Sequence, residues 1–300
     1  MILKYIVENN KFNNIKQIAK EYFNMSERLI IKLKNKQLIF KNNEKAFINE
    51  TIQPNDIIIF DLNYEEENDN IVPLKIDLNI LFEDDAFLIV DKPPFMPIHP
   101  SASHYFDSLS NAVKNYFEEK NLNKKIRPVN RLDKDTSGIV IFAKNEYVQE
   151  ALIKQMNNNT FQKTYLALSE NIFEKQTGII NAPISRKCGS IIEREINKNG
   201  QSAITHFKVI QNFNENNNYS LVEFELKTGR THQIRIHSKY IGHPLLGDTL
   251  YGNKTNLINR QALHCHKLTF IHPITKKTIN IISDLPNDMK QLINTTTFNV

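Results

Sequence analysis

The chain has 300 residues, of which 40 % are hydrophobic and 24 % are charged, and this composition excludes a disordered or fibrous chain. The length suits one large domain and a small one. The formal charge is +5 and the sequence pI is about 8.9, which suits a polyanionic partner without establishing one.

The cysteines and the N-terminus indicate an intracellular protein without a membrane segment. Cys188 and Cys265 lie far apart in sequence, and neither belongs to a Cys-x-x-Cys pair. A reducing compartment fits best, so we expect a cytoplasmic location. The first ten residues lack the apolar core of a signal peptide, and apolar stretches such as 57–60 are too short to cross a bilayer.

The first sixty or so residues predict a small unit that begins with two helices. The first helix is predicted from apolar spacing at Ile15, Ile18, Ala19 and Tyr22. Ser26 is a suitable N-cap for a second helix. Its inner side carries Leu29, Ile30 and Leu33. Its outer side carries most of the positive charge, at Arg28, Lys32, Lys34 and Lys36.

Short strands complete this unit and an acidic segment follows it. We predict strands around 38–40, 46–48 and 57–62, with turns at Asn42-Asn43 and at residues 54–56. The polar, acidic stretch that follows has no periodicity and is interpreted as a linker. The predicted division is therefore a first domain at 1–62, a linker at 63–75 and a large domain at 76–300.

The large domain mixes strands and helices without a regular βαβ alternation. Helical periodicity is present at 108–120 and 146–156. Strand patterns are present at 80–82, 87–90, 139–143, 165–168, 203–210, 219–226 and 268–271. This order favours an α+β fold with a central mixed, mainly antiparallel sheet over a doubly wound fold.

A polar loop at residues 131–138 is the strongest candidate for a chemical site. It carries Arg131 and Asp133 and opens directly onto the apolar strand 139–143, which would fix a carboxylate at the edge of a sheet. Thr136, Ser137 and Gly138 supply turn hydrogen bonds and a permissive backbone. The alternative is an ordinary turn stabilised by an Arg–Asp pair.

Two further segments carry candidate side chains. Tyr165 opens a predicted strand, where the alternative is a half-buried structural tyrosine. The stretch 226–237 follows a strand and is dense in cations and imidazoles, at Arg230, His232, Arg235 and His237. Arginine can grip a carboxylate or a phosphate in a forked geometry. A helix starting near Thr231 is predicted here, and its alternative role is a solvated basic face.

Four stretches together resemble the RluA-like family of pseudouridine synthases. They lie at 83–100, 131–144, 163–167 and 228–252, and their order and spacing also match, so that the resemblance covers roughly 78–283. The residues 1–62 resemble the αL-type RNA-binding module that often precedes this catalytic domain. The resemblance implies a pseudouridine synthase fold and the isomerisation of uridine in RNA, with no cofactor and no metal.

The chain departs from the family pattern at two points. Asn130 stands where a histidine usually precedes the Arg-Leu-Asp triplet. Pro94-Phe95 stands where the Lys-Pro loop usually continues through a glycine. The local support of Asp133 and the conformation of this loop are therefore open.

The resemblance also assigns roles to residues of this chain. It implies that Asp133 is the nucleophile, that Arg235 is its ion-pair partner and that Tyr165 stacks on the flipped base and takes the C5 proton. Arg131 would fill the space that the flipped uridine vacates. Site lining or phosphate contacts are implied for Thr228, Gly229, Arg230, His232 and Gln233. The basic face of the N-terminal module would contact phosphates through Arg28, Lys32 and Lys36.

The expected substrate is large-subunit ribosomal RNA, and the expected oligomeric state is a monomer. The sequence leaves open transfer RNA as substrate, or a catalytically silent RNA-binding assembly factor. A metal-dependent hydrolase is a further alternative, because His264 and His266 would share a face of a strand. The chain lacks a His-Glu-x-x-His motif and cysteine pairs at zinc spacing, which argues against a metal site.

Overall fold

Three β-sheets organise the chain in the computed structural model, which describes residues 1–8, 11–66, 70–101, 104–213 and 218–295. A small antiparallel sheet belongs to the N-terminal part, and a large mixed sheet forms the centre of the remainder. A two-stranded hairpin is the third. The predicted α+β class is therefore confirmed. Within the described residues, no helix has the length and apolarity needed to cross a bilayer.

The N-terminal sheet has the strand order β1-β4-β2-β3. Its strands are β1 (Ile2–Ile6), β2 (Ile39–Lys41), β3 (Glu44–Lys45) and β4 (Ile57–Asp61). The strand predicted at 46–48 was wrong, because pairing occurs directly after the turn. Asn42 and Asn43 both adopt positive φ and form a two-residue turn, so Lys41 pairs with Glu44.

Two helical segments cover this sheet. The first begins as α1 (Ile15–Gln17) and continues as a π-helical turn (Ile18–Tyr22). The wider turn carries Tyr22 out to 56 % exposure, against the α-helical spacing that the sequence suggested. The second is α2 (Glu27–Asn35), where the predicted cap is confirmed: the Leu29 amide donates to Ser26 Oγ at 3.2 Å.

The large sheet has the order β5-β6-β7-β14-β8-β13-β12-β9, and β15 pairs with β14. Its strands are β5 (Asn79–Glu83), β6 (Phe87–Lys92), β7 (Ser137–Ala143), β8 (Gln162–Glu170), β9 (Thr177–Asn181), β12 (Ile204–Phe213), β13 (Tyr219–Leu226), β14 (Leu263–Ile271) and β15 (Thr278–Ile282). The β7–β14 pairing is parallel and the other described ladders of this sheet are antiparallel. This confirms a mixed, mainly antiparallel sheet.

Four helices and the hairpin surround the sheet. The helices are α3 (Leu109–Glu119), α4 (Glu146–Asn157), α5 (Gln233–Tyr240) and α6 (Asn287–Thr295). The hairpin consists of β10 (Ile184–Arg186) and β11 (Arg194–Ile196). Every residue of β7 is buried, which anchors the loop before it against the centre of the core.

The predicted linker contains two buried anchors that join the N-terminal part to the large domain. Arg127 donates to both carboxylate oxygens of Glu66 at 2.7 Å, and the Tyr64 hydroxyl donates to Glu146 at 2.8 Å. Lys32 lies 2.9 Å from Glu66 and 3.2 Å from Glu146. The prediction that Lys32 faces outward was therefore wrong, because two carboxylates draw it into this contact. Linker residues 67–69 lie outside the described residues.

Candidate functional site

The loop that carries Asp133 is fixed to strand β7 on both sides. Asn130 is buried, donates to the Ile139 carbonyl at 2.8 Å and accepts the Ile141 amide at 2.9 Å. Gly138 adopts φ +113°, and a β-carbon there would lie 2.4 Å from the carbonyl oxygen of Cys265 on β14. Asn130 therefore supplies the local support that the family pattern left open, and only glycine allows this strand approach.

Arg235 lies between two carboxylates. Its Nη1 donates to Asp133 Oδ2 at 3.2 Å, while Nε and Nη2 donate to the two carboxylate oxygens of Asp248, each at 2.7 Å. Asp248 is fully buried and also accepts the amides of Leu250 and Tyr251 at 3.1 Å. Burial opposes the charge on Arg235, but its carboxylate partners outweigh burial and raise its pKa. The predicted Asp133–Arg235 pair is present in the structure.

Helix α5 holds Arg235 in place. It begins at Gln233 rather than near Thr231, because His232 adopts the left-handed conformation at φ 57°. His232 Nδ1 lies 2.8 Å from the Tyr251 hydroxyl, and its Nε2 lies 3.8 Å from Asp133 Oδ2. Burial lowers the pKa of His232, which favours the neutral imidazole. One ring nitrogen of His232 therefore faces the Tyr251 hydroxyl, and the other faces the Asp133 carboxylate.

Tyr165 lies on β8 and is 6 % exposed. Burial is the main cause that raises its pKa well above the ordinary value, and the neighbouring Cys265 thiol and Asp133 act in the same direction. The hydroxyl is therefore protonated at neutral pH. The ring lines the same cleft as Asp133, which suits it for stacking on a planar ligand.

Six of the residues predicted for catalysis and RNA contact line one cleft of about 740 Å³, which we call the central cleft. This volume is within the range of small-molecule and nucleoside sites. Its lining includes Arg131, Asp133, Tyr165, Gly229, Arg230 and His232 from the predicted set, and also His99, Lys163 and Arg194. Arg235 and Gln233 line a smaller recess that also contains Asp133 and Tyr165.

Two of the residues predicted to meet RNA are engaged inside the protein. Gln233 is 2 % exposed; its amide donates to Ile204 and Thr205, and its carbonyl accepts from Thr228 and Arg230. Thr228 Oγ1 also accepts the Ile204 amide at 2.9 Å. These bonds hold the segment before α5 in place. Gln233 also lines the recess that contains Asp133 and Tyr165, and the phosphate contacts of Thr228 and Gln233 stay a prediction.

The three basic residues predicted in the N-terminal module do not line the central cleft. Arg28 and Lys36 are exposed, and the Lys36 ammonium lies 5.5 Å from the ring centre of Tyr64. Lys32 is committed to Glu66 and Glu146, as described above. Arg28 therefore differs from Lys32 and Lys36. It is exposed, and its guanidinium lies over no aromatic ring of the described residues.

Lys92 is a buried residue whose role the sequence did not indicate. It is 0 % exposed, and its ammonium donates to the carbonyls of Pro93, Met96 and Lys134 at 2.8, 2.8 and 2.9 Å. It therefore fastens the Lys-Pro loop to the residue directly after Asp133. Phe95 occupies this loop with φ 64°, the conformation that glycine adopts most easily.

The described residues contain no cluster of three or more histidine, cysteine, aspartate or glutamate side chains suited to a metal ion. His264 lies 3.0 Å from the Ser137 hydroxyl and 3.2 Å from the Ser283 carbonyl. His266 lies 2.7 Å from the same carbonyl. Both imidazoles thus have partners within the fold.

Comparison with known proteins shows which family this chain resembles in sequence. The family model described as RNA pseudouridylate synthase matches residues 86–240. The "Uncharacterized RNA pseudouridine synthase YhcT" of Bacillus subtilis (strain 168) is 40 % identical over 259 residues, covering 86 % of this chain and 85 % of the relative. The "Ribosomal large subunit pseudouridine synthase D" of Blochmanniella floridana is 32 % identical over 281 residues, covering 86 % of each.

A solved structure supports the fold. "Human RNA Pseudouridylate Synthase Domain Containing 1" superimposes with a TM-score of 0.59 at 22 % identity, covering 74 % of this chain and 96 % of that chain. The domain with the large sheet therefore shares its architecture with that protein.

Proposed function

The chain belongs to the RNA pseudouridylate synthase family and is an isomerase that acts on RNA, and we propose that it works through Asp133 on uridines of large-subunit ribosomal RNA. The observation that carries the residue assignment is the position of Asp133. Its carboxylate is 27 % exposed in the central cleft and is held by Arg235 at 3.2 Å. It is thus accessible to a ligand and oriented by a charged partner.

The reaction is an internal rearrangement. The bond between C1′ of the ribose and N1 of uracil breaks, and its electron pair leaves with the uracil ring. The ring turns, C5 forms the new bond to C1′, and the proton that C5 loses is balanced by a proton gained at N1. Asp133 assists by attacking the sugar or the base, or by stabilising the sugar cation, and all three require an ionised carboxylate.

The neighbouring residues support this chemistry in different ways. Arg235 orients Asp133 through its bond at 3.2 Å, and Tyr165 stacks on the flipped base. Because the Tyr165 hydroxyl is protonated at neutral pH, we do not assign it the role of the base that takes the C5 proton. Arg131 and Arg230 are exposed at the opening of the cleft, where they suit contacts to the RNA backbone or to the gap left by the flipped uridine. Gly229 and His232 complete the wall against the ligand.

Large-subunit ribosomal RNA is supported by the names of relatives, and contact with RNA in general is supported by the N-terminal module. Two proteins similar to this chain are named "Ribosomal large subunit pseudouridine synthase D". One is from Blochmanniella floridana and is 32 % identical to this chain, and the other is from Nitrosomonas europaea and is 37 % identical. The exposed Arg28 and Lys36 suit a phosphate-contacting face. Transfer RNA is the alternative substrate. A monomeric state and a cytoplasmic location remain predictions.

Release of tritium from C5-labelled uridine tests this proposal, because formation of the new bond expels the hydrogen of C5. The purified protein is incubated separately with large-subunit ribosomal RNA and with transfer RNA, both transcribed with the label. We expect release from the ribosomal transcript and none with the Asp133→Asn variant. Release from transfer RNA alone would make transfer RNA the substrate. If the folded wild type released tritium from neither RNA, the proposal would be refuted.

A further inference from the structure

Strand β8 carries a second polar side chain, Lys163, on the same face as Tyr165. Lys163 and Tyr165 are two residues apart in a regular strand, so their side chains leave the same face of the sheet. The antiparallel register with β13 is continuous here, pairing Lys163 with Leu226 and Tyr165 with Phe224. Both side chains line the central cleft that contains Asp133.

Among the residues that the structure describes, none pairs with the ammonium of Lys163 to balance its charge. It forms no hydrogen bond and no ion pair with any residue that the structure describes. The side chain is partly buried, and its Nζ lies only 3.1 Å from where a β-carbon on Gly229 would stand. Burial lowers the pKa of Lys163, which reflects the cost of holding this charge out of water.

The other buried cations of the site are satisfied. Lys92 donates to three carbonyls, and Arg235 donates to two carboxylates. A partly buried cation without such partners is destabilising unless a ligand completes it. Its surroundings therefore indicate a ligand that brings negative charge into the cleft beside Tyr165.

We propose that Lys163 binds a carbonyl oxygen of the uracil ring and stabilises the negative charge that develops there when the glycosidic bond breaks. This inference rests on the proposed function. As the electron pair of the C1′–N1 bond passes to uracil, charge spreads over the ring onto O2 and O4. A charge-assisted hydrogen bond from Nζ to either oxygen is strongest in that state, so it accelerates cleavage without a proton transfer.

An RNA phosphate is the other anion that could reach Lys163, and the geometry favours the base. We expect the phosphate groups to stay on the RNA backbone outside the cleft, where the exposed side chains of Arg131 and Arg230 can meet them. Lys163 lies on the same strand face as Tyr165, the residue that stacks on the base. Both side chains line the central cleft, and the Lys163 ammonium lies there beside Gly229.

The two roles are separated by single-turnover kinetics with the wild type, Lys163→Met and Lys163→Arg on one ribosomal substrate. Methionine keeps much of the length and apolar contact of lysine, and arginine keeps the charge. We expect Lys163→Met to lower the rate constant by about 100-fold with Kd changed by less than about threefold. Lys163→Arg should recover part of that rate.

A substrate with 5-fluorouridine at the target position adds a readout that a structural role would not affect. Fluorine makes the departing ring a weaker base, so the negative charge that develops on the ring depends less on stabilisation by the protein. Loss of the nucleoside from a nuclease digest reports bond cleavage. We expect the effect of Lys163→Met on this rate to be clearly smaller for 5-fluorouridine than for uridine.

Several results would overturn the inference. An unchanged rate constant in Lys163→Met would remove the catalytic role. Weaker binding at an unchanged rate, with the salt dependence of Kd reduced by about one ion, would identify a phosphate contact instead. An equal loss on both substrates, with thermal unfolding altered, would indicate a structural residue. Inactivity of the wild type on uridine would instead refute the proposed function, and the inference with it.

Discussion

Arg235 and Asp248 form a buried bidentate ion pair in which Nε and Nη2 each lie 2.7 Å from a carboxylate oxygen. Only Nη1 remains to reach Asp133, at 3.2 Å. Asp248 is itself held by two backbone amides. The orientation of the guanidinium relative to Asp133 is therefore set by Asp248, a residue that does not line the central cleft.

Replacing Asp248 tests this positioning role. Asp248→Asn removes the negative charge and one of the two fitted acceptors, so we expect turnover to fall at least about tenfold and RNA affinity to change little. We also expect lower stability, since one partner of a buried pair is lost. Steady-state kinetics and thermal unfolding measure both effects.

Glu66→Gln is a matched control, because Glu66 forms the same kind of buried bidentate pair with Arg127, with both bonds at 2.7 Å, away from the central cleft. It should lose stability while keeping turnover. If both variants lost turnover equally, general destabilisation would explain the result and the positioning role of Asp248 would be rejected.

The pair between Glu66 and Arg127 should make stability depend on pH. Burial acts to raise the pKa of Glu66, but Arg127 and Lys32 outweigh burial and hold the pKa at about 2, below its ordinary 4.5. The stabilisation is therefore present above pH 4.5 and lost as pH falls toward 2, by about 3 kcal/mol in total. Unfolding by denaturant across this range measures it.

Glu66→Gln should lower the free energy of unfolding at pH 7, and its difference from the wild type should shrink as pH falls below 4.5. The pair of Lys114 with the exposed Glu118 supplies the control, since Glu118→Gln should change stability by less than about 0.5 kcal/mol. Parallel pH curves for the wild type and Glu66→Gln would contradict this account of the domain contact.

Lys92 should matter for both stability and activity. Lys92→Met leaves three carbonyls without their donor, so we expect a loss of about 2 kcal/mol or more in the free energy of unfolding. Because one of those carbonyls belongs to Lys134, the loop of Asp133 should loosen and turnover should fall. The check is turnover at a temperature where the variant is folded; full turnover there would show that Lys92 is structural only.

Arg28 and Lys32, two of the basic residues of α2, should behave differently. Arg28 is exposed, so Arg28→Ala should weaken RNA binding and reduce the salt dependence of Kd by about one ion, with turnover at saturating RNA unchanged. Lys32→Ala should instead lower stability, since Lys32 pairs with Glu66 and Glu146. Filter binding at several salt concentrations measures the first effect, and an unaltered salt slope for Arg28→Ala would reject the phosphate contact.

The sequence was sufficient to predict elements whose formation depends on neighbouring residues in the chain. The all-buried β7 follows from its apolar run, and helix α2 follows from the Ser26 cap and the spacing of its apolar residues. The Asp133–Arg235 pair was expected through the family resemblance rather than through spacing, since the two residues are 102 positions apart.

Other features depend on contacts that sequence does not display. Strands β9, β10, β11 and β15 and helix α6 are short elements whose signals are weak without their neighbours. The partners of Lys92 are carbonyls, which every residue carries, so no pattern of residue types could indicate them. Asp248 lay within the matching stretch 228–252, but its bond to Arg235 appears only once α5 is folded.

The central claim is that Asp133 is the nucleophile of a ribosomal RNA pseudouridine synthase. Pseudouridines are mapped by carbodiimide labelling and primer extension in cellular RNA from the wild type, a deletion strain and a strain with Asp133→Asn at normal protein levels. The account predicts that the same stops in large-subunit ribosomal RNA disappear in both mutants. Stops that persist in the Asp133→Asn strain but vanish in the deletion strain would contradict the role of Asp133, and a pattern unchanged in both would contradict the ribosomal substrate.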